Sequence, residues 1–222
     1  SKIIFADSTT TKEDSISLLN IDRNKIFVNY PGVHIAKPSP ADITKTLAKF
    51  NLKNKFILSV GKIEPRKNIK RLIEAFITLN KKNVDLVIVG HQGWDTQTSK
   101  KKSQTENIKF LNFVSNTELS SLYASCLLFV YPSLYEGFGY PIVEAMSLGA
   151  PVATSNTSSM KEIAENRSVL FDPMDISSIS QSMNRLIEDG DLKNNCIKTG
   201  IMRSRDFSWK SYYQNMIKIL KN

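Results

Sequence analysis

From Phe129 to Ala153 the chain reads FVYPSLYEGFGYPIVEAMSLGAPVA, and this stretch spells strand, loop, helix and strand. Val130 and Tyr131 close a buried apolar run. Pro132 to Tyr140 is a loop carrying Gly137 and Gly139, residues that let backbone approach a ligand closely. Pro141 fits the first turn of a helix, where no amide hydrogen is needed, and Gly149 with Pro151 fits its end. Glu136 falls in the loop and Glu144 in the first helical turn, its side chain leaning back towards the N-terminus. Both carboxylates are expected to face one cavity, which also receives the unpaired amides of the helix start. Amides suit an anion and carboxylates accept hydrogen bonds from hydroxyls, so the pattern predicts a phosphorylated sugar as ligand.

Outward from this unit the chain alternates. Ile3–Ala6 reads as a strand and Asp7, Ser8 and Thr9 as the cap of a helix to Leu19. Lys25–Val28 is a second short strand, and Asn29 to Val33 is a turn with the look of a hinge. Ala41–Phe50 is helical, Phe56–Val60 a strand, and Asn68 caps a helix to about Lys81. Val84–Val89 and Ile108–Phe113 are strands, Asn116 caps a helix to Ser125, and Leu127–Tyr131 leads into the opening stretch. Val152–Thr154 and Val169–Phe171 are the last strands. Ile176–Glu188 and Leu192–Met202 are amphipathic helices, and Trp209, Tyr212, Tyr213, Met216 and Leu220 make a stripe on a terminal helix, read as packing. Strict helix and strand succession predicts an α/β fold, a Rossmann-like parallel sheet with helices on both faces. Ligands then lie beyond the strands' carboxyl ends, where Gly61, Gly90, Val114 and Glu136 fall.

The chain has 222 residues, 41% hydrophobic and 23% charged, enough for a full core. Ser1 is not an initiator methionine and a strand starts at once, so the chain is expected to begin mid-architecture. No apolar run has the length of a membrane span and no secretory leader opens it, which makes the cytoplasm the expected compartment. Cys126 and Cys196 are far apart and only His34 and His91 could assist them, so no metal site is expected. The sequons at Asn156 and Asn166 mean little without secretion. A net charge of +9 admits nucleic acid, an anionic membrane face or a diphosphate substrate. Lysines 100 to 102 form the tight cluster, read as a solvated loop; no aromatics interleave with them, so nucleic acid is not expected as a partner.

Gly61-Lys62-Ile63-Glu64-Pro65-Arg66-Lys67-Asn68 follows a strand and precedes a helix, so three cations meet where a sheet crevice opens. They are either a basic surface turn or a grip on a diphosphate, whose charge grows as a sugar bond breaks. VGKIEPRKN at 60–68 together with EGFGYPIVEAMSLGAPV at 136–152 resembles the retaining GT-B glycosyltransferases called glycosyl transferases group 1. The acids at 136 and 144 match that family's E-x7-E signature, and the EPRKN form resembles bacterial mannosyltransferases of O-antigen and capsule synthesis.

The resemblance implies roles by position. Lys62 and Lys67 would bind the donor diphosphate, with Lys62 standing where the family commonly has arginine and Arg66 as the compensating fork. Glu136 would lie beside the transferred sugar, and the amides of Gly137, Phe138 and Gly139 would hold sugar and phosphate. Glu144 would bind the ribose hydroxyls, and Val114 and Asn116 would border the base, with His91 read as a polar loop residue near the site. No cofactor or metal is implied; the substrate is a nucleotide diphosphate sugar, GDP-mannose first and a UDP-sugar as the alternative. Asp189-Gly190-Asp191 has a metal-binding Asp-x-Asp form, but a helix-ending turn explains it better.

The same resemblance divides the chain into the end of an acceptor-side domain with its linker (1–33), the donor-binding C-terminal half of a GT-B fold (34–205) and a terminal crossover helix (206–222). Transfer to a glycan or lipid-linked acceptor is expected, at the inner face of the membrane if the acceptor is a lipid. The rival is a donor-binding module that needs a separate N-terminal acceptor half.

Overall fold

The computed structural model describes residues 2–91 and 106–221. In chain order the elements are β1 (Ile4–Ala6), α1 (Thr9–Leu19), β2 (Ile26–Val28), α2 (Pro40–Lys49), β3 (Lys55–Val60), α3 (Ile69–Leu79), β4 (Val84–Val89) and β5 (Ile108–Leu111). There follow α4 (Asn116–Ser125), β6 (Leu128–Tyr131), α5 (Tyr140–Ser147), β7 (Val152–Ser155), α6 (Ser158–Ala164), β8 (Val169–Phe171), α7 (Ile176–Glu188), α8 (Gly190–Ser204) and α9 (Trp209–Lys221). Six strands form one sheet in the order β5-β4-β3-β6-β7-β8, every pairing parallel, with Ile57 opposite Leu86 on one side and Leu128 on the other. β1 and β2 form a separate two-stranded parallel sheet.

The period of two along the strands divides the core as a doubly covered sheet requires. Phe56, Leu58, Val87, Val89, Phe129 and Tyr131 face a layer holding Leu122, Ile142, Met146 and Ile163. Ile57, Leu86, Ile88, Leu128 and Val130 face the opposite layer, built from Leu72, Ile73 and Phe76 of α3 and Ile179, Met183 and Leu186 of α7. The chain leaves β3 towards β4 but leaves β6 towards β7, so strand order reverses between β3 and β6. A crevice opens at such a reversal, beyond the carboxyl ends of the two strands. The turns from Gly61 and from Pro132 are the two that flank it.

Several local expectations change. Ser115, not Asn116, caps α4, in a reciprocal box with Glu118; Asn116 is the first helical residue. Asn68 precedes α3 in the left-handed conformation at φ 57° and makes no side-chain cap. Its buried side chain instead donates to the carbonyls of Pro132 (3.1 Å) and Pro173 (2.7 Å), joining three turns at the sheet end. β5 stops at Leu111, leaving Phe113 73% exposed. α8 starts at Gly190 because the Asp189 carboxylate accepts the Leu192 amide as its cap, which accounts for the Asp-x-Asp form without a metal.

The stripe on α9, expected to be packed, has no buried residue: Trp209, Tyr213 and Leu220 are each about half exposed, since among the described residues only the start of the helix has a surface to lie on. That start is tied down where Val33 donates to the carbonyl of Phe207 and where Trp209 lies over Gly32. Cys126 is partly buried and Cys196 buried, both as free thiols. Lysines 100 to 102 lie outside the described residues. No helix among the described residues is long and apolar enough to cross a membrane.

Candidate functional site

At the sheet reversal, the turn after β3 and the loop after β6 lock together. The Leu134 amide donates to the carbonyl of Arg66 (2.8 Å), and Arg66 donates from its guanidinium to the carbonyl of Tyr135 (2.8 Å). Serines at the start of α6 hold the loop from below: Ser158 and Ser159 donate to the carbonyl of Glu136 at 2.7 and 2.8 Å, and Ser159 also reaches that of Phe138 at 2.9 Å. Among the described residues the main-chain amides of Gly137, Phe138 and Gly139 donate to no protein group. Gly139 has φ 105°, a conformation that a side chain would strain, and it delivers the chain into α5, where Pro141 occupies the first turn. Open amides ahead of a helix start make a cradle for an anion.

Next to this loop, around Glu136, stands an ion cluster. The Lys67 ammonium donates to Glu136 (2.6 Å) and to the phenol oxygen of Tyr131 (2.7 Å), and the Tyr131 hydroxyl itself donates to Glu136 (3.0 Å). Arg66 pairs with Glu136 and with Glu64, both at 2.7 Å. Burial alone would raise the Glu136 pKa, but the hydrogen bond and charge of Lys67, helped by Arg66, outweigh it and hold the carboxyl below its ordinary value. The Tyr131 phenol is pushed far up, by burial first and by Glu136 second, so it stays a neutral donor. The aliphatic stem of Lys67 runs across Gly61, and a Cβ on Gly90 would lie 2.0 Å from the Gly61 carbonyl oxygen, so the turns after β3 and β4 touch at van der Waals limits. Lys62 is exposed and forms no ion pair among the described residues. Three cations therefore stand against two carboxylates, Glu64 and Glu136, which leaves the cluster net positive.

Glu144 has different surroundings. It lies in the second turn of α5, not the first, because the helix begins at Tyr140. It lines a cavity of about 550 Å³ together with Asn116, Ser120, His34, Lys37 and Asp42, and Glu136 is not among the lining residues. One oxygen of Glu144 accepts from the buried Tyr123 hydroxyl at 3.1 Å. Burial raises the Glu144 pKa, and the Tyr123 hydrogen bond offsets this only in part.

Of the residues singled out from sequence, Gly61, Arg66, Lys67, Glu136, Gly137, Phe138 and Gly139 meet at the reversal, with Lys62 at its edge. Glu144 and Asn116 meet in the neighbouring cavity, while Val114 packs against the core beside it. His91 borders the first turn through its carbonyl, which accepts the Ile63 amide, and its ring lies 6.3 Å from that of Phe113. The sequence reading missed Tyr131, Tyr123 and the α6 serines. Tyr131 was available from the strand's alternation and its place at the strand end; the serines act through distant hydrogen bonds that leave no local pattern.

Fold and site together define the class, a Rossmann-like α/β domain whose reversal crevice gathers cations, open amides and carboxylates. The sequence profile of the family described as Glycosyl transferases group 1 matches residues 31–203. The chain belongs to that family. Among curated relatives, O-antigen chain mannosyltransferase B of Escherichia coli is 32% identical over 95% of this chain and 58% of the relative. Serotype-specific mannosyltransferase WbdA of Escherichia coli is 32% identical over 93% of this chain and 27% of its own length. The chain thus spans well under two thirds of the relatives it matches. The crystal structure of Anabaena Alr3699/HepE in complex with UDP and glucose superposes with TM-score 0.89 at 24% identity, over 100% of this chain and 63% of that one. A glycosyltransferase from Rickettsia africae gives TM-score 0.89 at 20% identity over 99% and 63%. These two likenesses establish the shared fold.

Proposed function

We propose that this chain is the donor-binding part of a glycosyltransferase that moves a hexose from a nucleotide diphosphate sugar to a hydroxyl of a glycan or lipid-linked acceptor, with retention of configuration. The observation that carries the reading is a run of unpaired amides, Gly137 to Gly139, adjoining a cation cluster in which Lys67 and Arg66 meet Glu136. A departing nucleoside diphosphate gains charge as the sugar bond breaks, and fixed cations and amides stabilise that state more than the ground state. Lys62, Arg66 and Lys67 take this role. Glu136, held ionised by its cations, accepts hydroxyl hydrogens of the transferred sugar, and the departing donor phosphate takes the acceptor's proton, as the family resemblance implies. Glu144 and Asn116 hold ribose and base. Mannose from GDP-mannose is the favoured donor, in keeping with the mannosyltransferase relatives, and the UDP of the Anabaena structure supports a uridine donor as the alternative.

Because the relatives are much longer than the match, we assign residues 34–205 to the donor half, the β1–β2 region to the edge of an acceptor half and α9 to the segment that returns to it. Calorimetric titration with GDP, UDP and their sugars tests the reading. Binding that survives Glu144→Ala undiminished removes the ribose role, and a chain that binds no nucleoside diphosphate overturns the proposal. Turnover by the chain alone, against binding without turnover, separates a self-sufficient enzyme from a half that needs its partner.

A further inference from the structure

Gly137 and Gly139 bracket the run of unpaired amides, and a glycine does little to fix the peptide planes on either side of it. In a planar trans peptide the carbonyl oxygen and the amide hydrogen point in opposite directions, so whatever holds a carbonyl also aims the amide that follows it. Three successive carbonyls of this loop are each held by a hydroxyl. Ser158 and Ser159 donate to that of Glu136 at 2.7 and 2.8 Å, Thr11 to that of Gly137 at 3.1 Å, and Ser159 to that of Phe138 at 2.9 Å. The amides aimed in this way are those of Gly137, Phe138 and Gly139, the same three that donate to no protein group among the described residues.

Thr11 differs from the serines in its origin. It lies in the first turn of α1, 126 residues before Gly137. The buried Ser8 hydroxyl donates to Thr11 Oγ1 at 3.1 Å, which leaves the Thr11 hydrogen for the Gly137 carbonyl. Ser8 Oγ also accepts the Thr11 amide at 3.0 Å, so the cap of α1 fixes the backbone that carries this hydroxyl. The helix is seated at two further points. The Thr9 amide donates to both oxygens of Glu162 at 2.9 and 3.1 Å, on the same α6 that carries Ser158 and Ser159. One turn past Thr11, the Asp14 carboxylate accepts the Tyr135 hydroxyl at 2.5 Å.

We infer that Thr11 is a positioning residue for the donor diphosphate: through the Gly137 carbonyl it aims the Phe138 amide, while Asp14 steadies the loop through Tyr135. The inference rests on the donor-binding reading for the identity of the anion. It gives the segment assigned to the acceptor half a direct part in the donor site.

The test is calorimetric titration of the full chain and its variants with inorganic pyrophosphate, with GDP and UDP, and with guanosine and uridine. Thr11→Val keeps the shape and loses the hydroxyl. It is expected to weaken pyrophosphate and nucleoside diphosphate about fivefold, the factor of one neutral hydrogen bond, and to leave nucleoside affinity unchanged. Thr11→Ser returns the hydroxyl and is expected to restore the parent affinity. Equal diphosphate affinity in parent and Thr11→Val overturns the inference. An equal loss for the nucleoside, or a loss that Thr11→Ser does not repair, overturns it too, since either marks a merely structural role. Should Thr11→Val fail to fold, the change Tyr135→Phe at a 44% exposed residue decides: a loss of about threefold confined to the diphosphates upholds the role of α1, and unchanged affinity overturns it. Pyrophosphate binding that Thr11→Val weakens, in a chain that binds no nucleoside diphosphate, keeps the Thr11 role and removes the donor reading. A parent chain that binds neither removes both.

Discussion

Glu136 and Glu144 are eight residues apart in one strand-loop-helix unit, yet the protein treats them oppositely. Glu136 is ringed by Lys67, Arg66 and Tyr131 and its pKa is lowered; Glu144 is partly buried with one phenol for company and its pKa is raised. A motif that looks like a matched pair of acids is therefore two devices. One is a neutralised hub that orders the cations, the other a carboxyl with a single phenol partner.

The largest effect expected from breaking this contrast is at the hub. Glu136→Ala leaves Lys67, whose side chain is 12% exposed, as an unpaired buried cation, and costs roughly 3 kcal/mol in chemical denaturation. Lys67→Ala comes next. It should weaken nucleoside diphosphate about thirtyfold, near 2 kcal/mol, while free nucleoside binds as before; equal losses for both would reject the diphosphate role.

Glu144→Gln should cost the nucleoside about tenfold, since a neutral acceptor replaces a charged one. The two acids should also respond to pH with opposite signs. Glu136 is lowered from 4.5, so its contribution to stability is present above that value and is lost as pH falls through the folded pKa. Glu144 is raised from 4.5, so its contribution is fully present below that value and is lost as pH rises through the folded pKa. Urea titrations across pH 3 to 8 should therefore show Glu136→Gln flattening the acid-side loss and Glu144→Gln removing the neutral-side penalty, on the order of that one-group linkage. Matching pH profiles for the two variants would show that the environments do not differ as described. The smallest effect is expected for exposed Lys62. Its change to Ala should weaken diphosphate only about threefold, and added salt should erase the difference.

Much of the fold was legible because buried parallel strands announce themselves as apolar runs and because Gly61, Gly90 and Gly149 punctuate them. The bounds of α5 were readable from Pro141, and the meeting of Lys67 with the 136–139 loop followed from strand ends at one sheet reversal. What the residues did not disclose was partnership. Nothing local to Asn68 says that its side chain spans to Pro132 and Pro173, whereas the Ser115–Glu118 box stands in the sequence as Ser-x-x-Glu, a signature that the reading of Asn116 as cap overlooks. The contrast between Glu136 and Glu144 was hidden for a similar reason: the cations around the one and the Tyr123 phenol beside the other come from other elements of the fold.

Phe138, in the middle of the amide cradle, packs on Tyr30 and Phe207 with ring centroids 6.4 and 5.5 Å away, and Phe207 is almost wholly buried there. The floor of the cradle is therefore supplied by residues far apart in the order of synthesis. On the ribosome the sheet and its turns can form well before Phe207 emerges, but the loop has no floor until it does. The loop should therefore settle only after the sheet beneath it has formed.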